Sequence, residues 1–268
     1  MILKGKWRKV FISMTVAVCV IGLAGLGWFL WSDYQGISIN ALMNRTAEKD
    51  TAKVTKTSVV EKENLRVLAL GDSLTRGTGD PSGKGYVGYL VDRLKENSHH
   101  EVSLSNIAVN GEKSDQLLLR LKEKKVRKQV ESADIIVMTI GGNDLLNGGQ
   151  SLTNLNFTEI QTDKAKYVKN LTEILSELRS INEDANIFYV GLYNPFSEMD
   201  YELLTSSVIR NWNAASAEVC ADFPKTTFVP TLDLFPPQVN DYLAADKFHP
   251  NAEGYQLMAE RLVPLVMQ

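Results

Sequence analysis

From residue 65 onward the chain alternates short, unbroken apolar runs with longer amphipathic ones, and few architectures accept that pattern. Residues 65–70, 102–109, 134–140, 186–193 and 226–229 read as strands, and residues 86–96, 114–130, 164–181, 201–221 and 252–263 as helices. Within 164–181, Tyr167, Val168, Leu171, Ile174, Leu175, Leu178 and Ile181 recur every three or four residues. Asn251 stands where a cap for the last helix belongs. A strand that is apolar along its whole length needs cover on both faces. Strand–helix alternation supplies that cover when the strands run parallel between two helical layers. The pattern predicts an α/β chain folded as a three-layer α/β/α sandwich with about five parallel strands, order 2-1-3-4-5. It also places function beyond the carboxyl ends of the strands.

The first 31 residues are a different material. Lys4, Lys6, Arg8 and Lys9 precede a run of 22 residues, 10–31, that carries no charge. As a helix that run spans about 33 Å, against a bilayer hydrocarbon core of about 30 Å. Trp28 and Trp31 lie at its far end, where amphipathic rings favour the interface. These features predict a cytoplasmic basic segment (1–9), a transmembrane signal anchor (10–31) and an extracytoplasmic remainder at the cell membrane. The run is longer than the core of a signal peptide, which favours an uncleaved anchor. Gly25-x-Gly27 keeps a cleaved, secreted form as the alternative. Cys19 follows Val18, where a lipoprotein signal wants Gly, Ala or Ser, and reads as a small membrane-buried residue. Residues 32–64 are polar and aperiodic, a tether. Residues 65–268 are the folded domain. Cys220 is the single cysteine beyond the anchor, so no disulfide can form within that domain.

The net charge of −3 averages these two parts. Residues 1–31 hold four basic residues and no acid; beyond them 25 basic residues face 32 acids, a net −7. No basic balance remains to bind nucleic acid. The oligomeric state has no signature in the sequence.

Chemistry-bearing residues collect at the expected strand ends. After the first strand comes Gly71-Asp72-Ser73-Leu74. A serine at a tight strand-to-helix turn is lifted toward solvent among free backbone N–H groups. Gly111 follows the second strand, and glycine lets a backbone N–H approach a substrate closely. Gly141-Gly142-Asn143-Asp144 follows the third, with the Asn143 amide as a donor on the same rim. Before the last helix, Asp246 and His249 stand three residues apart, a spacing that can bring a carboxylate to the ring Nδ1. Together these are the parts of an acyl-transfer site. Ser73 is the candidate nucleophile, His249 its general base and Asp246 the acid that orients the ring. The N–H groups of Ser73 and Gly111, with the Asn143 amide, form the candidate oxyanion hole.

In order, Gly71-Asp72-Ser73-Leu74, Gly111, Gly141-x-Asn143-Asp144 and Asp246-x-x-His249 resemble the four blocks of the SGNH (GDSL) hydrolase family. The resemblance spans about residues 65–268 and implies the flavodoxin-like SGNH hydrolase fold. It further implies a membrane-anchored bacterial lipase or esterase that needs no metal or cofactor, with Ser73, Asp246 and His249 as triad. Its expected partners are an acyl ester substrate, lipid or acylated glycan, and the membrane itself. An acyltransferase or deacetylase acting on cell-envelope glycans is the alternative, because water or a sugar hydroxyl can resolve the same acyl-enzyme. A catalytically silent binding module on the same scaffold is a further possibility that an intact nucleophile, base and oxyanion set opposes.

One local departure stands out. Glu112-Lys113-Ser114 replaces the smaller polar residues of many family members and is expected to set two charges beside the pocket. Loops 80–84, 145–159 and 195–201 are expected to shape that pocket, the second as a lid. Asp72 and Asp144 read as loop braces. The charge run 122–128 reads as a solvated helix face, and His99 and His100 as exposed residues.

Overall fold

The computed structural model describes residues 64–97, 101–146, 157–198, 202–235 and 239–268. The basic segment, the uncharged run 10–31 and nearly all of the tether lie outside the described residues, as do His99, His100 and positions 147–156 of the expected lid. Among the described residues, no helix is long and apolar enough to cross a membrane.

In chain order the elements are β1 (Asn64–Gly71), α1 (Ser73–Arg76), α2 (Gly85–Asn97), β2 (Glu101–Asn106), α3 (Ser114–Arg120), α4 (Lys124–Ser132) and β3 (Ile135–Thr139). There follow α5 (Gly142–Leu146), α6 (Phe157–Ile181), β4 (Asn186–Val190), α7 (Glu202–Ala221), β5 (Thr226–Val229), a 3₁₀ turn (Val239–Tyr242) and α8 (Ala252–Val266). All four strand pairs are parallel, and the sheet order is β2-β1-β3-β4-β5, as the alternation predicts.

The strand period of two divides the core into two layers. Leu68, Leu70, Ile136, Met138, Ile187 and Tyr189 meet Leu117 of α3, Val126 and Val130 of α4, and the apolar stripes of α6 and α7. Val67, Ala69, Ile135, Val137, Phe188 and Val190 meet Tyr86, Leu90 and Leu94 of α2, and Tyr255, Met258 and Leu262 of α8. Asn251 caps α8 as expected, accepting the Gly254 N–H at 3.0 Å.

The helix expected over 164–181 begins already at Phe157 and the last helix runs on to Val266. Three further boundaries differ from the sequence pattern, each for a local reason. The helix expected over 114–130 divides into α3 and α4. The buried positions Leu117, Leu121, Val126 and Val130 step by four, five and four, and an unbroken helix would turn one pair away from the sheet. A tight turn absorbs the extra residue: the N–H groups of Lys122 and Glu123 donate to the carbonyls of Leu119 and Arg120, and Glu123 is extended. β2 stops at Asn106 rather than running to 109. The Asn106 side chain there accepts from the Ala108 N–H and donates to the Thr75 carbonyl, which ends the regular pairing, although the Ile107 and Val109 N–H groups still donate to the Ala69 and Gly71 carbonyls of β1. β4 stops at Val190, beyond which the Asn213 amide both donates to and accepts from Leu192 as a strand neighbour would.

Cys220 is buried on α7. Burial pushes its thiol up to about 12. Only about 10⁻⁴ of it is then thiolate at pH 8, and the thiolate is the reactive species. In a chain carrying Cys19→Ser, a disulfide reagent such as DTNB is expected to leave the native protein unmodified at pH 8. It should titrate one thiol after unfolding in guanidinium. Prompt native-state reaction would show that the α7–sheet layer opens freely.

Candidate active site

The carboxyl end of β1 is built around a close approach to β3. Gly71 has φ +110°, and a Cβ on it would lie 1.7 Å from the Thr139 carbonyl oxygen, so no other residue fits. Asp72 then caps α1: its N–H donates to the Thr139 carbonyl at 3.1 Å, and its Oδ1 accepts the Leu74 N–H at 3.1 Å. This turn sets Ser73 as the first residue of α1, where its N–H has no partner within the helix.

Beneath the turn lies a buried chain of hydroxyls. Thr139 Oγ1 donates to Asp72 Oδ1 at 2.6 Å. Thr139 and Thr75 hydroxyl oxygens are 2.8 Å apart, and Thr75 and Tyr86 hydroxyl oxygens 2.7 Å. With Asp72 ionised, the Thr139 proton is committed to the carboxylate, so Thr75 donates to Thr139 and Tyr86 to Thr75. Burial pushes the Asp72 carboxyl up, against the opposing pull of the Thr139 hydroxyl and the Leu74 N–H. Asp72 is a brace, as its sequence position suggests, and the two threonines and Tyr86 complete it.

His249 arrives on the loop before α8. That loop is pinned by an antiparallel bridge between Leu243 and Pro250, by the Ala244 N–H on the His249 carbonyl at 2.8 Å and by the Tyr193 hydroxyl, which donates to the Phe248 carbonyl. Asp246 folds the chain back on itself: its Oδ1 accepts the N–H groups of Phe248 at 3.0 Å and His249 at 2.9 Å. The turn forces Lys247 to φ +56°, a left-handed conformation unusual for a side chain of its kind. Gly79, at φ +97°, lets the loop after α1 close over this turn, since a Cβ there would meet the Pro250 carbonyl oxygen at 2.5 Å.

These loops bring three of the expected residues into a line. His249 Nε2 is 2.8 Å from Ser73 Oγ, and His249 Nδ1 is 2.6 Å from Asp246 Oδ2. The Phe248 ring stands edge-on to the imidazole, centroids 5.0 Å apart. Partial burial opposes ionisation of Asp246. The hydrogen bond from the His249 ring and those from the backbone N–H groups of His249 and Phe248 outweigh it, and the carboxyl is held below the ordinary aspartate range.

Of the other two, Asn143 reaches the cleft and Gly111 does not. Asn143 lies on α5 and lines the same cleft as Ser73. Its Nδ2 donates to the Glu112 carbonyl at 3.1 Å. Gly111, at φ +76°, is the residue before Glu112; it belongs to this turn but not to the cleft lining. Asp144 ties the same two loops together, accepting from both the Ser114 N–H (3.0 Å) and the Ser114 hydroxyl (2.5 Å). The two charges expected beside the pocket are absent from it. Glu112 is 3% exposed and turned inward onto Arg120, and neither it nor Lys113 lines the cleft. A buried glutamate takes the arginine fork in preference to solvent because its remaining lone pairs must be matched.

The cleft holds about 430 Å³, counting its open mouth, and its wall beside Ser73 is apolar: Leu74, Leu146, Leu192, Pro195, Ile209 and Phe248. Of the loops expected to shape it, 145–159 supplies Leu146 and 195–201 supplies Pro195, while 80–84 supplies no lining residue.

The profile of the GDSL-like lipase/acylhydrolase family matches residues 69–257. The uncharacterized protein YpmR of Bacillus subtilis is 37% identical over 223 residues, covering 81% of this chain and 87% of that protein. The spore germination lipase LipC of Bacillus licheniformis is 30% identical over 213 residues, covering 74% of this chain and 94% of that protein. The crystal structure of the lipase Lip_vut3 from a goat rumen metagenome superposes with a TM-score of 0.67 at 29% identity, covering 74% of this chain and 95% of that one.

Proposed function

Because the chain belongs to the GDSL-like lipase/acylhydrolase family, we propose that it cleaves acyl esters through an acyl-enzyme on Ser73. The hydrogen-bonded line from Ser73 Oγ through His249 to Asp246 carries this reading. Asp246 accepts a hydrogen bond from the Nδ1–H, which keeps the proton on that nitrogen and leaves the Nε2 lone pair facing the serine. As Oγ attacks the carbonyl carbon, its proton passes to Nε2 and the carbonyl electron pair moves onto oxygen. The Ser73 and Gly111 N–H groups and the Asn143 amide receive that charge. The intermediate expels the alcohol, which takes the proton from Nε2. Water then enters by the same route and releases the acid. The apolar wall beside Ser73 supports an aliphatic acyl group over a polar one.

A fluorophosphonate probe is expected to label Ser73, and p-nitrophenyl esters are expected to turn over faster as the acyl chain lengthens from acetyl. A protein that is neither labelled nor active on any chain length would overturn the reading. Asn143→Ala is expected to lower kcat by about 10²–10³-fold, the usual loss for one oxyanion donor, with KM near the parent value because the contact forms only in the transition state. An unchanged kcat removes Asn143 from that role.

We also place the enzyme on the outer side of the cell membrane, held by residues 10–31. The uncharged length of that run and its basic flank support this placement. Fractionation of the full-length chain with membranes, and its loss from them on deletion of residues 1–31, is the check.

A further inference from the structure

We propose that Arg120 and Glu112 are a positioning pair: they hold the Gly111 turn in place and keep it neutral where negative charge develops on the substrate. The inference rests on the acyl-enzyme reading above.

One guanidinium closes the segment that carries Gly111. Arg120 Nη1 donates to the Ile107 carbonyl at 2.8 Å, at the start of that segment. Its Nε and Nη2 donate to the two carboxylate oxygens of Glu112, at 2.5 and 2.8 Å, at the end. The Glu112 main-chain carbonyl in turn takes the Asn143 amide. A single segment therefore sets both the Gly111 N–H and the Asn143 side chain. Among the described residues, nothing lies within 4 Å of where a Gly111 Cβ would stand. Polar ties hold the turn: the Glu112 N–H donates to the Val109 carbonyl at 3.1 Å, and the Arg120 fork fixes its outer end.

The charge matters as much as the geometry. A buried carboxylate on the residue after Gly111 opposes an oxyanion forming near that N–H, and low local polarity strengthens the effect. The bidentate fork cancels it. Burial pushes the Glu112 carboxyl up, against the pull of Arg120, and the charges of Asp72 and Glu123 add to the upward push. Glu112 thus sits within electrostatic reach of the residue preceding the nucleophile. Removing Arg120 alone leaves that charge buried and uncompensated. Removing Glu112 alone leaves an arginine that still reaches water, its side chain 20% exposed.

The test measures steady-state p-nitrophenyl ester hydrolysis by the full-length protein in detergent, with kcat expressed per serine titrated by the fluorophosphonate. Arg120→Met is expected to lower kcat by about 10²-fold, the scale of a small misplacement in an active site, while KM stays within about threefold. Adding Glu112→Gln to Arg120→Met is expected to restore about tenfold of that loss by removing the stranded charge. Arg120→Lys keeps the charge but not the three-way tie, and should fall between the parent and Arg120→Met. It also carries the test if Arg120→Met fails to fold.

A merely structural pair would lower the melting temperature and the number of titratable serines but leave kcat per serine unchanged, and that result overturns the inference. So does a rise in KM at constant kcat, or a double variant as slow as Arg120→Met. A parent protein that neither hydrolyses esters nor takes the probe overturns the acyl-enzyme reading itself; an active parent with unaffected Arg120 variants overturns only the pair.

Discussion

Ser73→Ala is expected to lower kcat for a p-nitrophenyl ester by about 10⁶-fold, the scale seen when a serine nucleophile is deleted, and to leave the fold intact. The side-chain bond it removes is the one to His249 Nε2, and the imidazole remains held by Asp246 from the other side. The α1 cap does not use the serine hydroxyl, since Asp72 accepts the Leu74 N–H. The melting temperature should therefore hold while turnover and probe labelling disappear together. Thermal unfolding beside the esterase assay checks both halves, and turnover equal to the parent would sink the nucleophile assignment.

Asp246→Asn is the second large effect, expected at about 10⁴-fold in kcat. Asparagine can keep the backbone bonds to Phe248 and His249 through its carbonyl oxygen. Its amide, however, then faces Nδ1 as a donor, the ring proton moves to Nε2, and Ser73 loses its acceptor. The same substitution has a pH signature. Because the folded Asp246 carboxyl is held below the ordinary aspartate range, its stabilising contribution is present above that range and is lost as pH falls through the lowered value. The stability difference between parent and Asp246→Asn should be level at neutral pH and shrink in acid. A difference that grows on acidification contradicts the assignment. Denaturant unfolding at a series of pH values measures it.

The two-layer core was legible because it depends on period, and the sheet order because five strands alternating with helices suit one doubly wound arrangement. Ile135–Thr139 can only be a strand covered on both faces, and Leu171, Ile174, Leu175 and Leu178 can only face one neighbour. The hydrogen-bonded line of Ser73, His249 and Asp246 was legible because its members lie next to element ends, which the alternation locates. What stayed hidden depends on partners distant in sequence. The break between α3 and α4 follows from a five-residue step between buried residues, and the step has meaning only once the sheet supplies the other side. Glu112 read as a charge beside the pocket because its arginine, eight residues on, lies across a turn that no local pattern announces. Gly79 gave no signal at all, since its reason is a carbonyl at Pro250. Thr75 and Thr139 are ordinary residues in a helix and a strand until the close approach at Gly71 puts them side by side.

The chain of hydroxyls from Tyr86 to Asp72 has a consequence for turnover. With Asp72 ionised, each of its three protons is committed in one direction, and reversing any one means reversing the others inside a closed interior. On the proposed acyl-enzyme reading, the floor under Ser73 therefore has almost no freedom to reorient as charge appears and vanishes above it through acylation and deacylation. Water would have to reorganise at both steps. This floor presents the serine with a field that is set before the substrate arrives and is the same when the product leaves.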